Sequence, residues 1–316
     1  MDSHPGGLPN GDYSEDSDRD YRVLSIQSHV VSGYVGNKSA VFPLQVLGFD
    51  VDFINTVEFS NHTGYGSWKG SCMDEKTLQD LFDGLRMNHL TMSYTHLLTG
   101  FVQSKTLLEK IADIARELKR SNPKLIYVCD PVMGDNGKMY VPMEVFEAYR
   151  DSILPLADIV TPNQFEAELL TGITIRSEKD ALAAIDRLHS RGVPTVIISS
   201  SDLGDDKNLI GFGSAVNQGA GKLRFRMNIP RLPASFTGTG DLFTALLLAW
   251  MTKTGDLQRS CDITVSTLQA VLKRTWKHFQ ENCQDPQPCL RHLELRLIQS
   301  KRDIENPVVS RPMSQL

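Results

Sequence analysis

Short runs of apolar and β-branched residues alternate with helical patterns from residue 21 onward. Six runs predict strands at residues 22–27, 51–55, 96–99, 125–129, 159–161 and 195–199. Two further runs, 209–213 and the alternating 223–229, predict an antiparallel pair at one edge. Strand–helix alternation of this kind predicts an α/β fold, with a doubly wound, mostly parallel sheet covered by helices on both faces.

The segments between the strands carry apolar residues at the three- and four-residue spacing of amphipathic helices. Three such stripes lie at residues 78–85, 107–118 and 181–188, and Asp74 is placed to cap the first of these helices. In a doubly wound sheet, ligands bind outside the carboxyl ends of the strands. The polar residues that follow each strand are therefore the candidates for chemistry.

Composition limits the class of protein. The formal net charge of −5 offers no basic field for nucleic acid, and the five cysteines form no C-x-x-C pair, which favours reduced thiols in a cytoplasmic protein. Neither a signal pattern nor a membrane-spanning apolar stretch is present, so no membrane partner is expected. We expect residues 21–316 to form one domain and residues 1–20, rich in Gly, Pro, Ser and Asp, to be a disordered tail.

The most informative segment is Gly238-Thr239-Gly240-Asp241, which leads directly into an apolar helical run. Backbone N–H groups at a helix start are unpaired and carry the positive end of the dipole, so they can hold an anion. Glycine lets that backbone approach the anion closely. The carboxylate of Asp241 could then take a proton from an alcohol that attacks a phosphate, or it could only complement the helix dipole.

Two other segments follow predicted strands and carry carboxylates. Asp130 and Asp135 lie five residues apart, a pattern that suits a hard cation with oxygen ligands and is also that of an ordinary turn. Asn163 and Glu166 have the spacing of a capping box at a helix start, and they could also face phosphates and Mg²⁺. Both roles are compatible, because a helix start at a strand end lies beside the ligand.

Polar residues also follow the first, second and sixth predicted strands. Ser28 could bind a substrate, and the run 33–39 imitates a phosphate-binding P-loop, but Asn37 replaces its required glycine, so we reject that interpretation. The glycine-containing loop 59–66 could line a small-molecule pocket. Ser199 and Ser200 offer hydroxyls to a nucleotide phosphate.

The order of these segments resembles that of the ribokinase-like superfamily of small-molecule kinases, and within it the pyridoxal kinase family. The resemblance extends from about residue 22 to residue 304. Gly-Thr-Gly-Asp is typical of the superfamily, while Ser25-Ile26-Gln27-Ser28-His29 and the run Phe-Ser-Asn-His-Thr-Gly-Tyr at 59–65 resemble the pyridoxal kinases.

The resemblance implies transfer of the γ-phosphate of ATP to the 5′-hydroxymethyl group of pyridoxal, and also of pyridoxine and pyridoxamine. Asp241 would be the base, and the backbone of Gly238 and Gly240 would form the anion hole. Mg²⁺ would accompany ATP, a monovalent cation (K⁺ or Na⁺) would bind beside the phosphates, and the enzyme would be a homodimer.

The resemblance also implies roles for other positions. Those matching substrate contacts are Ser28, Val57, Phe59 and Thr63. Those matching nucleotide contacts are Tyr140, Asn163, Ser199, Ser200, Gly238 and Thr239. Those matching the monovalent-cation site are Asp130 and Thr161, and those matching the Mg²⁺ site are Asp135 and Glu166.

Three departures from the family pattern stand out. Phe101 replaces a Tyr, the loop 135–140 is shorter than in vertebrate relatives, and Ser199 replaces a Thr while keeping the hydroxyl. Two alternatives stay open: a hydroxymethylpyrimidine kinase of the same superfamily, and a non-catalytic paralogue that binds vitamin B6. The absence of G-x-G-x-x-G after the first strand argues against a nicotinamide dehydrogenase.

Overall fold

The computed structural model describes residues 20–135, 137–217, 221–283, 289–309 and 314–315. The predicted tail, apart from Asp20, lies outside the described residues. No helix within these ranges is both long enough and apolar enough to cross a bilayer.

A ten-stranded sheet runs through the described part of the chain, in the order β12-β11-β10-β9-β8-β5-β4-β1-β2-β3. Its strands are β1 Arg22–Val30, β2 Asp50–Phe59, β3 Gly70–Cys72, β4 His96–Thr99, β5 Ile126–Cys129, β8 Ile159–Val160, β9 Thr195–Asp205, β10 Asn208–Asn217, β11 Gly221–Pro230 and β12 Ser314–Gln315. Strands β2, β1, β4, β5, β8 and β9 are parallel neighbours. A separate small hairpin is formed by β6 Gly134–Asp135 and β7 Lys138–Met139.

The helices cover both faces of the sheet. They are α1 Asn37–Val46, α2 Glu75–Met87, α3 Lys105–Ser121, α4 Met143–Ala148, α5 Gln164–Thr171, α6 Glu178–Ser190, α7 Thr239–Thr254, α8 Leu257–Asn282 and α9 Lys301–Glu305. One core contains the apolar stripes of α2, α3 and α6, and the other contains α1, α7 and α8. These two cores confirm the predicted doubly wound α/β architecture.

Helix α7 explains the apolar run after the glycines. Residues 242–250 are all buried, because α1 and α8 pack against this helix and it also contacts β5 of the sheet. A helix that is apolar on every side belongs in the interior. The start of α7 is therefore fixed in position by the packing of the helix that follows it.

Several predicted strands are too short. Strand β1 continues to Val30, β2 to Phe59 and β9 to Asp205. The prediction that Ser28 and Ser200 follow the ends of strands was therefore wrong, since they lie within β1 and β9. Ser199, predicted as the last residue of its strand, lies in the middle of β9. Pairing extends these strands: β1 and β2 stay paired past a register shift after Gln27, and β9 pairs with β10 through further shifts.

The antiparallel part of the sheet is larger than predicted. The 209–213 and 223–229 runs do pair, as β10 and β11, and β10 also pairs with β9. Strand β3 and the β6–β7 hairpin had no sequence prediction, because they are two or three residues long and carry no alternating pattern.

Candidate active site

The candidate site lies where the chain reverses its direction of travel across the sheet. From β1 the chain moves outward to β2, and it then returns to the other side of β1 through β4, β5, β8 and β9. Such a switch point leaves a crevice at the carboxyl ends of the strands. The start of α7 comes to the same place, in contact with the loop between β1 and α1.

Gly238 sets the geometry of the α7 start. It is the N-cap residue and has a φ of 82°, in the left-handed region that glycine adopts without strain. A Cβ at this position would collide with the carbonyl oxygen of Tyr34. Ser39 donates its hydroxyl to the carbonyl oxygen of Gly238 at 3.2 Å. Both the backbone conformation and the close approach to the β1–α1 loop therefore require glycine.

The start of α7 differs from those of five other helices. Side chains cap α2, α3, α5, α6 and α8, through Asp74, Ser104, Asn163, Ser177 and Asp256. Among the described residues, no side chain caps α7 at Gly238. The N–H groups of its first turn are therefore left to solvent or to a ligand, as an anion site requires.

Asp241 lies in the first turn of α7 and is partly buried. Burial raises the pKa of its carboxyl, and a hydrogen bond from the backbone N–H of Gly36 opposes that rise. Gly36 itself has a φ of 53°, and its Cα packs so closely on Ser28 that a Cβ would collide with the Ser28 carbonyl. Asp241 and Ser28 are thus brought together through one glycine.

Asp130 lies beneath the same turn, directly after β5. A Cβ at Gly240 would lie 3.2 Å from its Oδ2. Its side chain is buried, and Oδ2 has no hydrogen-bond partner among the described residues. Burial raises the pKa of Asp130 well above its usual range, and the nearby carboxylates of Glu166 and Asp241 add to the rise.

The carboxylates of Asp130, Glu166 and Asp241 form an acidic region beneath α7. Thr161 is connected to this region through α7. Its hydroxyl lies 2.8 Å from that of Thr244, and both residues are buried. Thr244 also hydrogen-bonds Asp130, which partly opposes the rise in the pKa of that carboxyl. The structure therefore places Asp130, Thr161 and the first turns of α7 side by side.

Asn163 and Glu166 form the predicted capping box at the start of α5. The Asn163 Oδ1 accepts from the N–H of Glu166, and the Glu166 Oε2 accepts from the N–H of Asn163, both at 2.9 Å. Glu166 Oε1 also accepts the N–H of Met133 at 2.9 Å, and Asn163 Nδ2 donates to the carbonyl of Gly134 at 2.8 Å. The capping role of both residues is confirmed, and together they hold the β6–β7 hairpin.

Burial raises the pKa of Glu166 to about 8, despite the backbone N–H groups that it accepts. Asp135, on the hairpin, contributes to the same rise. Within the described ranges, no three His, Cys, Asp or Glu side chains come together as ligands of one metal ion.

The predicted nucleotide residues lie on the β5–β9 side of the crevice. Tyr140 is 55% exposed. Partial burial raises the pKa of its phenol, and the nearby carboxylates of Asp135 and Glu166 add to the rise. The hydroxyl of Ser199 donates to the carbonyl of Pro162 at 3.3 Å, and Ser200 is the next residue of β9.

The predicted substrate residues lie on the β1–β2 side. Thr63 is exposed, in a 3₁₀ turn at Thr63–Tyr65, and a Cβ on the adjacent Gly64 would lie 3.8 Å from Thr237, just before Gly238. Val57 and Phe59 belong to β2. Val57 is buried, and the Phe59 ring lies 6.5 Å from that of Trp68.

Sequence reasoning missed the residues that support these groups. Gly36 and Tyr34 belong to the run 33–39, which is not a P-loop but lines the site through its backbone. The signal for them in the sequence is the pair of glycines, Gly33 and Gly36, both of which have positive φ values in the structure. Glu294 also contacts this run, and no local pattern indicates it.

Comparison with known proteins places the chain in a family. The pyridoxal kinase of Sus scrofa is 50% identical over 305 residues, covering 92% of this chain and 94% of that relative. This chain belongs to the pyridoxal kinase family. The enzyme of Arabidopsis thaliana is 52% identical over 289 residues, 91% of this chain and 92% of that protein. Residues 72–284 also match the phosphomethylpyrimidine kinase family.

A solved structure supports the same assignment. The pyridoxal kinase from Leishmania donovani in complex with ADP and pyridoxamine aligns with a TM-score of 0.88 and 36% identity. The alignment covers 94% of this chain and 100% of that one. Membership of the family makes the chain a ribokinase-like enzyme that phosphorylates pyridoxal, and a kinase that uses ATP requires a divalent cation.

Proposed function

We propose that this chain transfers the γ-phosphate of ATP to the 5′-hydroxymethyl group of pyridoxal, pyridoxine and pyridoxamine, with Asp241 as the base. The observation that carries the proposal is that Asp241 lies in the first turn of α7, whose N-terminus has no side-chain cap from the described residues, at the crevice. Two solved structures of the pyridoxal kinase from Leishmania donovani hold ADP together with pyridoxamine or with pyridoxine.

Asp241 is suited to accept the proton of the attacking alcohol. A free alcohol is a weak acid, and a positioned base accelerates such a step by about 10²- to 10⁴-fold. The hydrogen bond from the N–H of Gly36 orients the carboxylate and stabilises its ionised form, which partly offsets the effect of burial. The raised pKa makes this carboxylate a stronger base than an exposed aspartate.

The anion hole is proposed at the backbone of Gly238, Thr239 and Gly240. Phosphoryl transfer depends mainly on position and on neutralising charge, and preorganised N–H donors supply both. The packing of α7 in the interior holds these donors in place before ATP arrives. Gly240 has no side chain, which leaves this exposed position open to a phosphate.

We assign the two cations to the acidic region beneath α7. Its donors are oxygen atoms, which hard cations prefer, and the unpartnered buried Oδ2 of Asp130 is an oxygen that a cation would satisfy. Asp130 and Thr161 would hold the monovalent cation, K⁺ or Na⁺, and Asp135 and Glu166 would face Mg²⁺ with ATP. The bound cations would neutralise the charge of the phosphates.

The two sides of the crevice separate the two substrates. Ser28, Val57, Phe59 and Thr63 are proposed to surround the vitamin on the β1–β2 side. Tyr140, Asn163, Ser199 and Ser200 are proposed to contact the nucleotide on the β5–β9 side, together with Thr239 at the start of α7. Asp241 and Gly238 lie between the two groups, where the transferred phosphoryl must pass.

We also propose that the enzyme is a homodimer in the cytoplasm. Apolar side chains in contact with solvent support a second copy: Phe53 and Ile298 are about half exposed and line a groove of about 290 Å³ beside α1. Light scattering of the purified protein tests the dimer, and a mass of 35.3 kDa, that of one chain, at all concentrations would contradict it.

The function is tested by a kinase assay with pyridoxal, ATP, Mg²⁺ and K⁺, run beside hydroxymethylpyrimidine. The second alcohol is included because of the match to the phosphomethylpyrimidine kinase family. Formation of pyridoxal 5′-phosphate at the higher kcat/KM supports the proposal. Preference for the pyrimidine, or binding of ATP and pyridoxal without product, would support one of the two alternatives.

A further inference from the structure

Glu294 connects the C-terminal segment to both loops on the vitamin side of the site. Its Oε2 accepts the backbone N–H of Tyr34 at 3.0 Å, in the loop between β1 and α1. Its Oε1 accepts the hydroxyl of Tyr65 at 2.9 Å and lies 3.2 Å from Nε2 of His62, in the loop between β2 and β3. One carboxylate therefore binds two loops that are distant from it in sequence.

The surroundings of Glu294 are built around a carboxylate. The side chain is 14% exposed, and a Cβ at Gly33, whose φ is 96°, would lie 2.5 Å from both of its oxygens. Only glycine lets this loop close on the charge. Burial raises the pKa of Glu294, but the hydrogen bonds from His62 and Tyr65 outweigh it and hold the pKa below its usual value.

The two loops lead directly to the reacting groups. In the first, the carbonyl of Tyr34 lies against Gly238, and the N–H of Gly36, two residues further on, donates to Asp241. In the second, Thr63 stands between His62 and Tyr65, both of which contact Glu294. A displacement of the carboxylate would move both loops.

We infer that Glu294 is a positioning residue that holds the vitamin-binding loop and the loop that orients Asp241 at a fixed distance from each other. It is not among the residues proposed to contact either substrate, and it acts through Tyr34, His62 and Tyr65. The inference rests on the proposed location of the site. It assigns a role to a part of the chain that none of the proposed catalytic residues occupies.

Replacement of Glu294 by Gln tests this role with little change of shape. The N–H of Tyr34 and the hydroxyl of Tyr65 bind different oxygens of the carboxylate. An amide has one oxygen and no charge, so at most one of these donors keeps its acceptor, and neither bond is charge-assisted. Because hydrogen bonds to a charged group are the strong ones, we expect KM for pyridoxal to rise at least about tenfold and KM for ATP to change less than about twofold. The matched control is Glu305→Gln. Glu305 is an exposed acid of the same segment, and among its described contacts its only ion pair is with Lys301 at the surface. This variant should leave both KM values unchanged.

Hydrogen exchange gives a readout that does not depend on activity. In the Glu294→Gln variant, amide exchange should become faster in residues 32–36 and 62–66 and stay unchanged in α3 and α6. If that variant does not fold, Tyr65→Phe removes one of the bonds and should raise KM for pyridoxal by a smaller factor, with KM for ATP unaltered. Equal changes in both KM values, or exchange in the two loops that matches the wild type, would overturn the inference. A wild-type enzyme inactive on pyridoxal would instead reject the proposed function and leave the exchange result standing.

Discussion

Replacing Asp241 by Asn separates the proposed base from the groups that surround it. Asn keeps the size of the side chain and an oxygen that can accept the N–H of Gly36, so the hydrogen bond seen at this position can persist. It removes a negative charge from a region where the carboxylate of Asp241 also raises the pKa of Asp130. The variant should therefore fold and be no less stable than the wild type.

The expected kinetic loss follows from the work of a base. General-base assistance contributes about 10²- to 10⁴-fold, which is about 3 to 5 kcal/mol of activation free energy. We expect kcat to fall at least about 100-fold while the dissociation constants for pyridoxal and ATP change less than about threefold. The loss should appear in kcat because the carboxylate acts on the proton that leaves during the chemical step.

The assay is the rate of pyridoxal 5′-phosphate formation at saturating substrates, with calorimetry for the two dissociation constants. Glu75→Gln is the matched control, since Glu75 is an exposed acid in the first turn of α2. It tests the loss of a helix-dipole contact at the surface, where Glu75 also accepts the hydroxyl of Thr106 at 3.3 Å. A kcat for Asp241→Asn within tenfold of the wild type would refute the assignment of the base. It would leave the dipole role as the explanation of this acid.

Other parts of the structure give further predictions. The raised pKa of Asp241 means that kcat/KM for pyridoxal should fall with decreasing pH through a pKa above the usual aspartate value, and an acid limb at the usual value would contradict the burial argument. Gly238→Ala should lower both the free energy of unfolding and kcat. Gly255, at the other end of α7, also has a left-handed backbone but has open space around it, so Gly255→Ala should lower only the free energy of unfolding. Equal losses of kcat in the two variants would count against the anion hole. Asn163→Ala should cost about 1 kcal/mol of stability in urea unfolding through loss of the capping box, and no loss would show that the box contributes nothing. His96 is buried, and burial lowers its pKa to about 4. As the pH falls below the usual histidine pKa, the unfolded state therefore binds a proton that the folded state does not. This difference should lower the free energy of unfolding by about 2 kcal/mol between pH 7.5 and 5, and the His96→Gln variant should lack this part of the loss.

Features carried by a local pattern could be predicted from the sequence. The start of α7 is predictable because glycines, an acid and an apolar run follow one another within a few residues. The capping box of Asn163 and Glu166 and the cap at Asp74 have the same local character. The parallel order of the sheet followed from strand–helix alternation, which topology restricts strongly.

Features that depend on pairing between distant strands could not be predicted in the same way. Ser28 lies inside β1 because β2 continues beside it to Phe59, and nothing in the residues around Ser28 encodes that partner. Ser199 and Ser200 belong to β9 because β10 folds back along them. Strand length is a property of the pair, so the single-strand pattern ended these strands too early.

The surroundings of Asp241 show why a motif can identify a site and still leave its construction hidden. The groups that orient this acid are backbone atoms: the N–H of Gly36, and the Tyr34 carbonyl that packs on Gly238. Backbone atoms are common to all residues, so the sequence records them only as glycines where a side chain would not fit. The charge that holds the Tyr34 loop comes from Glu294, 260 positions away, and only the folded chain brings the two together.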